Sequence, residues 1–126
     1  MARSQERSLR KASGGRYRRS RTKKKGELAG FPANTKLAGE QKVRTNRILG
    51  GNQKSAVLLA KQVNVAGVKG KTVKTEILNV VENTANPNLV RRNIITKGAI
   101  VETKLGRVRI TSRPGQEGSI NGQLVK

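Results

Sequence analysis

The stretch "VLLAKQVNVAGVKGKTVKTEI", residues 57–77, decides the fold class of this chain. In its first half, one parity of residues is richer in apolar side chains than the other, which is typical of a half-buried strand. The richer parity contains Val57, Leu59, Val63 and Val65. Two glycines within residues 67–70 suit a hairpin loop, and the alternation resumes at residue 73. The stretch therefore predicts a long strand over residues 57–65 and an antiparallel partner after the loop.

Turn chemistry separates several further short segments downstream. The second strand of the pair should end in a bulge, because the alternation slips near Val80 and Val81. The segment "NTANPN", residues 83–88, then reads as a turn-rich break in which Pro87 holds Asn86 in an extended conformation. After this break the predicted strands cover residues 93–96, 99–104, 107–112 and 119–125.

Tight turns should connect these strands. Residues 105–106 fit one turn, and residues 113–116 fit a Pro-Gly turn in which Gly115 is able to take a positive φ. A miniature hairpin at Asn121 and Gly122 is the alternative to a continuous last strand. Five or six strands this short favour a small antiparallel barrel, because closure removes exposed edges. The predicted fold class is mainly β.

Composition divides the chain in two. Residues 1–54 contain 16 Lys and Arg against 3 Glu but only two Val or Ile, whereas residues 55–126 contain seventeen Val or Ile. The first part therefore lacks material for a core of its own. We predict a long, irregular basic arm over residues 1–41 and a small barrel-like β domain over residues 42–126.

Charge indicates the class of partner. The 126 residues carry 28 Lys and Arg against 7 acids, a formal net charge of +21. Residues 10–25, "RKASGGRYRRSRTKKK", contain nine basic residues and no acid. A chain this cationic repels itself, and a polyanion relieves that repulsion. The distribution is typical of nucleic-acid binding.

Missing residue types narrow the class further. The chain has no Cys, His or Asp, which argues against zinc sites, iron–sulfur sites, thiol nucleophiles and imidazole bases. Its seven Glu show no spacing typical of acid–base or metal chemistry. No apolar run approaches the ~20 residues of a membrane span. We expect no enzyme activity, no cofactor, no metal, no small-molecule substrate and no membrane contact, and a soluble intracellular protein.

The arm holds the first group of candidate RNA-binding residues. Arg forms bidentate pairs with phosphate, Lys supplies point charge, and consecutive glycines let backbone N–H groups approach an anion. Tyr17 is the arm's candidate for base stacking. The alternative is a solvated tail, although the charge density exceeds what solubility needs. The candidates are Arg3, Arg7, Arg10, Lys11, Ser13, Gly14, Gly15, Arg16, Tyr17, Arg18, Arg19, Arg21, Lys23, Lys24 and Lys25.

The β domain holds a second group. Basic residues surround Gly50 and Gly51, where a backbone turn near phosphate and an ordinary hairpin are both open readings. Other cations lie in predicted loops, with solvated loop charge as the alternative. The candidates in this group are Lys42, Arg44, Arg47, Asn52, Lys54, Arg91, Arg92, Lys97 and Arg113.

Aromatic residues are too few for a sequence-reading RNA module, since the chain has one Tyr, one Phe and no Trp. No recognition helix for the DNA major groove is indicated either. Backbone and shape recognition of folded RNA remains, with an arm that orders on binding. An architectural chromatin protein that coats DNA is the alternative.

Four stretches carry a resemblance to a known family. They are "RKASGGRYRRSRTKKKGEL" at residues 10–28, "ENTANPN" at 82–88, "VRRNIITKGAIVET" at 90–103 and "TSRPGQ" at 111–116. Together they resemble the archaeal and eukaryotic small-subunit ribosomal protein eight-e family, and the short length resembles its archaeal branch. The resemblance implies a barrel-like body, an arm embedded in small-subunit ribosomal RNA, neighbouring ribosomal proteins as further partners, a monomer within the particle, and a cytoplasmic location on the ribosome.

Overall fold

The structure, a computed structural model, describes residues 4–19, 21–67 and 70–125. Within these ranges the chain forms three short 3-10 helices and eight strands. The 3-10 helices are Lys25–Glu27, Leu49–Gly51 and Pro87–Arg92. The strands are β1 (Lys36–Leu37), β2 (Lys42–Arg47), β3 (Gln53–Ala60), β4 (Gln62–Ala66), β5 (Thr72–Glu82), β6 (Ile100–Thr103), β7 (Gly106–Ile110) and β8 (Asn121–Leu124).

The chain divides into two compact units, Met1–Pro32 and Ala33–Lys126. In the described part of the first unit, regular structure is limited to one 3-10 helix and two isolated bridges, Ser4 with Leu28 and Arg10 with Arg16. All eight strands lie in the second unit. The boundary predicted between residues 41 and 42, and the RNA-binding role of the arm, stay predictions.

A closed five-stranded barrel lies in the second unit, with its strands in the order β4-β5-β6-β7-β8. Consecutive strands pair antiparallel, whereas β4 and β8 close the barrel in parallel, with Val65 opposite Gly122. The β4–β5 hairpin confirms the predicted first antiparallel pair. Register shifts on both sides of Val80 confirm the predicted bulge. The mainly β, barrel-like fold is thus confirmed.

A second sheet contains three strands in the order β1-β3-β2. These strands precede the barrel strands in the chain. The long β3 pairs in parallel with β1 and antiparallel with β2, which leaves β2 at an edge. All six residues of β2 are exposed. A single buried cluster joins sheet and barrel, because Val57 and Ala60 of β3 pack in the same core as Val63, Val101 and their neighbours.

The predicted long strand over residues 57–65 is wrong in one respect. It is broken at Lys61: β3 pairs within the three-stranded sheet, and β4 pairs within the barrel. The carbonyl of Lys61 accepts a hydrogen bond from Ile77 N at 2.9 Å, so this residue is the junction. Burial alternates strictly in β4, where Val63 and Val65 are buried, but not in β3, where the adjacent Ala56 and Val57 are both buried together with Ala60. The end of β3 depends on which strands pair with it, and the local sequence pattern carries no information about those partners.

The predicted strand over residues 93–96 is also wrong. Asn93 takes a left-handed conformation with φ 50° and caps the preceding 3-10 helix, with its N–H donating to Val90 O at 2.9 Å. Ile94 then makes one isolated bridge with Lys36. Ile94 and Ile95 are buried, so their apolar character reflects the core and not a strand.

The observed turns agree with most of the predicted turn features. Asn86 is extended before Pro87, as predicted, and the last strand is continuous through residues 121 and 122. Gln116 N donates to Arg113 O at 2.9 Å, which confirms a turn at residues 113–116. Gly115 does not use the positive φ that the turn allows a glycine at this position, since its φ is not positive.

Candidate nucleic-acid interface

Residues 9–17 of the first unit form a small hairpin, here called the arm hairpin. Tyr17 N donates to Leu9 O, and Lys11 N donates to Gly15 O, both at 2.8 Å. Gly14 has φ +83° and its N–H closes the turn on Lys11 O at 3.0 Å. A residue with a side chain is strained in this conformation, so the turn requires glycine. The Gly14 N–H predicted to face an anion is thus used within the hairpin.

Cations surround the ring of Tyr17. The guanidinium carbon of Arg7 lies 4.5 Å from the ring centroid, and Lys11 Nζ lies 5.4 Å from it. Cations at this range are attracted by the ring quadrupole. The arrangement brings three predicted residues together, and it covers ring surface that base stacking would use.

Arg21 is held by both acids of the first unit. Its Nη2 contacts a carboxylate oxygen of Glu27 and lies 3.3 Å from Oε1 of Glu6. The hydrogen bond with Arg21 lowers the pKa of Glu27, and the same bond raises the pKa of Arg21. Gln5 N donates to Glu27 O at 2.9 Å, so residues 4–6 lie against residues 27–28. Arg21 therefore carries less uncompensated charge than its neighbours.

The other candidate residues of the arm are mostly exposed to solvent. Arg3 lies outside the described residues, and Lys23 is half-buried. Arg10 donates from Nη1 to Gly14 O at 3.1 Å within the arm hairpin. The remaining predicted side chains of the arm are all exposed, namely Ser13, Arg16, Arg18, Arg19, Lys24 and Lys25.

The β2–β3 hairpin contains several of the candidate RNA-binding residues of the β domain. Lys42, Arg44 and Arg47 lie on the exposed edge strand β2, and they make no ion pair among the residues that the structure describes. Gly50 and Gly51, with φ of 75° and 77°, turn the chain between the strands. Ile48 N donates to Asn52 O at 2.8 Å, and Asn52 Nδ2 donates back to Leu49 O at 3.5 Å, so the turn closes a hairpin, and its contact with phosphate stays a prediction.

A side-chain contact joins this hairpin to the Pro-Gly turn. Lys54 Nζ donates to Gln116 Oε1 at 2.9 Å. The N–H groups of Gln116 and Glu117 both donate to Arg113 O at 2.9 Å, which fixes the turn that carries Arg113. The fold thus brings Lys54 and the Arg113 turn together from positions far apart in sequence.

Arg91, Arg92 and Lys97 form a separate group. The two arginines are exposed in the last turn of the 3-10 helix Pro87–Arg92, where basic residues also suit the helix end. Lys97 is exposed in the turn before Gly98. Within the described ranges, no side-chain hydrogen bond joins these three to the other predicted residues.

Sequence reasoning missed Arg107 and Arg109. Both are exposed on the outward face of β7, while Val108 and Ile110 point into the core. The alternation R-V-R-I was the available signal. Among the described residues, Lys61 and Lys104 are, unlike these two arginines, paired with an acid. Their Nζ atoms lie 3.3 and 2.7 Å from the Glu76 carboxylate. These contacts lower the pKa of Glu76.

Across residues 4–19, 21–67 and 70–125, no group of three or more acidic or metal-ligating side chains is placed to hold a metal ion. The same ranges contain no helix with the length and apolar character needed to cross a bilayer.

Comparison with known proteins gives a match over nearly the full length of the chain. The model of the family described as ribosomal protein S8e matches residues 4–125. A relative named small ribosomal subunit protein eS8 from Methanocorpusculum labreanum is 50% identical over 123 residues, covering 97% of this chain and 98% of the relative. The protein of the same name from Methanobrevibacter smithii is 48% identical over 126 residues, covering 99% and 100%. The one from Methanospirillum hungatei is 48% identical, covering 97% and 98%.

Proposed function

Since the chain belongs to the ribosomal protein S8e family, we propose that it is a structural constituent of the small ribosomal subunit and binds folded ribosomal RNA through phosphate contacts. The observation that carries the proposal is the match over residues 4–125 to a family whose relatives are named as small-subunit proteins. The resemblance seen in the sequence alone is thereby confirmed.

The charge distribution supports the RNA part of the proposal. Arg18, Arg19, Arg44, Arg47 and Arg92 are exposed and make no ion pair among the described residues. Phosphate groups would supply the missing counter-charge and release bound counterions. Such contacts fix position without reading sequence, which suits a structural protein.

The two units take different parts in this proposal. The first unit holds eleven Lys and Arg against two Glu and little regular structure, so it inserts along the RNA and completes its ordering there. The second unit offers the β2–β3 hairpin, the Arg113 turn, and the Arg91 and Arg92 helix end as further phosphate contacts.

Partners and location follow from the same proposal. The protein acts as a monomer within the cytoplasmic ribosome, beside other ribosomal proteins, and its role is structural and not catalytic. The chromatin alternative has no support, because the matched relatives are named as ribosomal proteins.

Salt dependence of RNA binding tests the proposal. With about ten phosphates neutralised, log K against log salt should fall with a slope of about −7, at roughly 0.7 per contact on single strands. Binding of small-subunit ribosomal RNA is measured by filter retention across a salt series. A slope shallower than about −3 contradicts the proposed role of the arm.

Single substitutions and a competitor serve as controls. Arg18→Ala should make the slope shallower by about 0.7, because it removes one phosphate contact. Arg21→Ala should change it less, because Glu6 and Glu27 already compensate Arg21. Duplex DNA at matched salt should compete poorly, and a preference for DNA would favour the chromatin alternative.

A further inference from the structure

Phe31 is the most exposed aromatic residue of the described chain. It is the sole Phe in the sequence, and 90% of its surface is exposed. A single exposed apolar residue is ordinary on a protein surface, so exposure alone assigns no role. Three further observations assign a role: the backbone around Phe31, the contacts of the Tyr17 ring, and the charge of residues 1–32.

The residues next to Phe31 in the chain leave its ring exposed. Phe31 precedes Pro32, and a residue before proline is restricted to extended conformations. The neighbouring Gly30 has open space where a side chain would stand, with no atom within 4 Å. The restriction before proline and the open space at Gly30 agree with the exposure of the ring, because neither places a neighbouring residue over it.

The other aromatic ring is already in use. Tyr17 is 39% exposed, and it has Arg7 and Lys11 within 5.4 Å of its centroid. No cation–ring contact of this kind involves Phe31 in the described chain. Phe31 is thus the ring whose faces are open to a partner.

The surrounding charge selects the partner. Residues 1–32 carry eleven Lys and Arg against two Glu, a net charge of +9. A polyanion is drawn to this segment, and its bases offer flat faces of the size of the ring. Every base has such a face, so one stacking contact needs no sequence-reading module. Only an unpaired base has a face free, because bases within a helix already stack on one another.

We propose that Phe31 stacks on an unpaired nucleobase of the ribosomal RNA, an inference that rests on the proposed function. The contact adds a base to an interface otherwise made of phosphates. It fixes the chain just before Ala33, where the second unit begins.

Three substitutions test the stacking contact in the full chain, with full-length archaeal small-subunit ribosomal RNA as the probe. Phe31→Ala should weaken binding about 5-fold to 150-fold, the range that one base–aromatic stack provides. Phe31→Leu should not restore binding, because it keeps an apolar side chain but lacks the ring. Both should keep the salt slope of the wild type, because the ring contributes no charge. Leu105→Ala, which truncates a side chain that is 49% exposed on the barrel, is the matched control and should bind like the wild type.

Fluorescence gives a second measurement that does not depend on affinity. Phe31→Trp places a sole Trp in a chain that has none, and its emission should be quenched on saturation with RNA. Wild-type affinity in Phe31→Ala or Phe31→Leu, or unchanged Trp emission, overturns the stacking contact alone. A wild-type salt slope shallower than about −3 instead overturns the phosphate binding by the arm in the proposed function, whatever the Phe31 variants do.

Discussion

A methyl group on residue 122 would lie 2.4 Å from Val108 Cγ1 and 3.0 Å from Arg109 O. Gly122 lies on β8, opposite Ile110 of β7 and Val65 of β4, where the barrel closes. Its φ is not positive, so close approach of the backbones, and not conformation, requires glycine here. The packing at this point of the barrel therefore leaves no room for a side chain.

Gly122→Ala should therefore destabilise the second unit by about 1–3 kcal/mol, the usual cost of overpacking a tight site. Chemical denaturation followed by far-ultraviolet circular dichroism measures the change. Gly39→Ala is the matched control, because a methyl group there meets nothing within 4 Å. Equal stability of the two variants would contradict the close-approach argument.

At the scale of elements, β1 ties the start of the second unit to its core. Thr35, just before β1, is buried and donates from Oγ1 to Val57 O at 2.6 Å. Ile95 N donates to Thr35 O at 2.8 Å, and Leu37 N donates to Asn93 O at 3.0 Å. Residues 33–38 thus lie between β3 and the segment after the 3-10 helix Pro87–Arg92.

Two truncations separate this segment from the arm. In 1 M KCl, where the charge of residues 1–32 is screened, their removal should leave the free energy of unfolding of the β domain nearly unchanged, because the second unit begins at Ala33. Removal of residues 1–40 should lower it by about 2–5 kcal/mol, because several hydrogen bonds and the packing of Leu37 are lost. Urea denaturation of both fragments measures the difference. Equal stability would place the end of the arm near residue 41, as the composition predicts.

The sequence predicts elements best where the local pattern carries the information. The β4–β5 hairpin and the bulge near Val80 follow from alternation and its slip. The break at Lys61 and the single bridge at Ile94 do not, because both depend on which distant strand supplies hydrogen bonds. For the interface, charge density indicates the cations, whereas the compensation of Arg21 by Glu6 and Glu27 needs the folded chain.

At the scale of the whole molecule, the net charge of +21 acts on folding and on binding with opposite signs. Like charges in the folded chain repel one another, and the attractive pairs described here are exposed and weak. Raising the salt from about 0.1 M to about 1 M shortens the Debye length from about 10 Å to about 3 Å. Repulsion in the free protein is screened, and so is its attraction to phosphate.

The free protein should therefore melt several degrees higher in 1 M KCl than in 0.1 M KCl, although the same change weakens RNA binding strongly. Thermal denaturation followed by circular dichroism measures the shift in Tm. The fragment of residues 33–126 is the control: it keeps 17 Lys and Arg against 5 Glu, a net charge of +12, and should show a smaller rise. A Tm that falls with salt would mean that attractive ion pairs, such as those of Glu76, outweigh the repulsion. A rise equal in the two chains would mean that the charge of residues 1–32 does not act on the stability of the β domain.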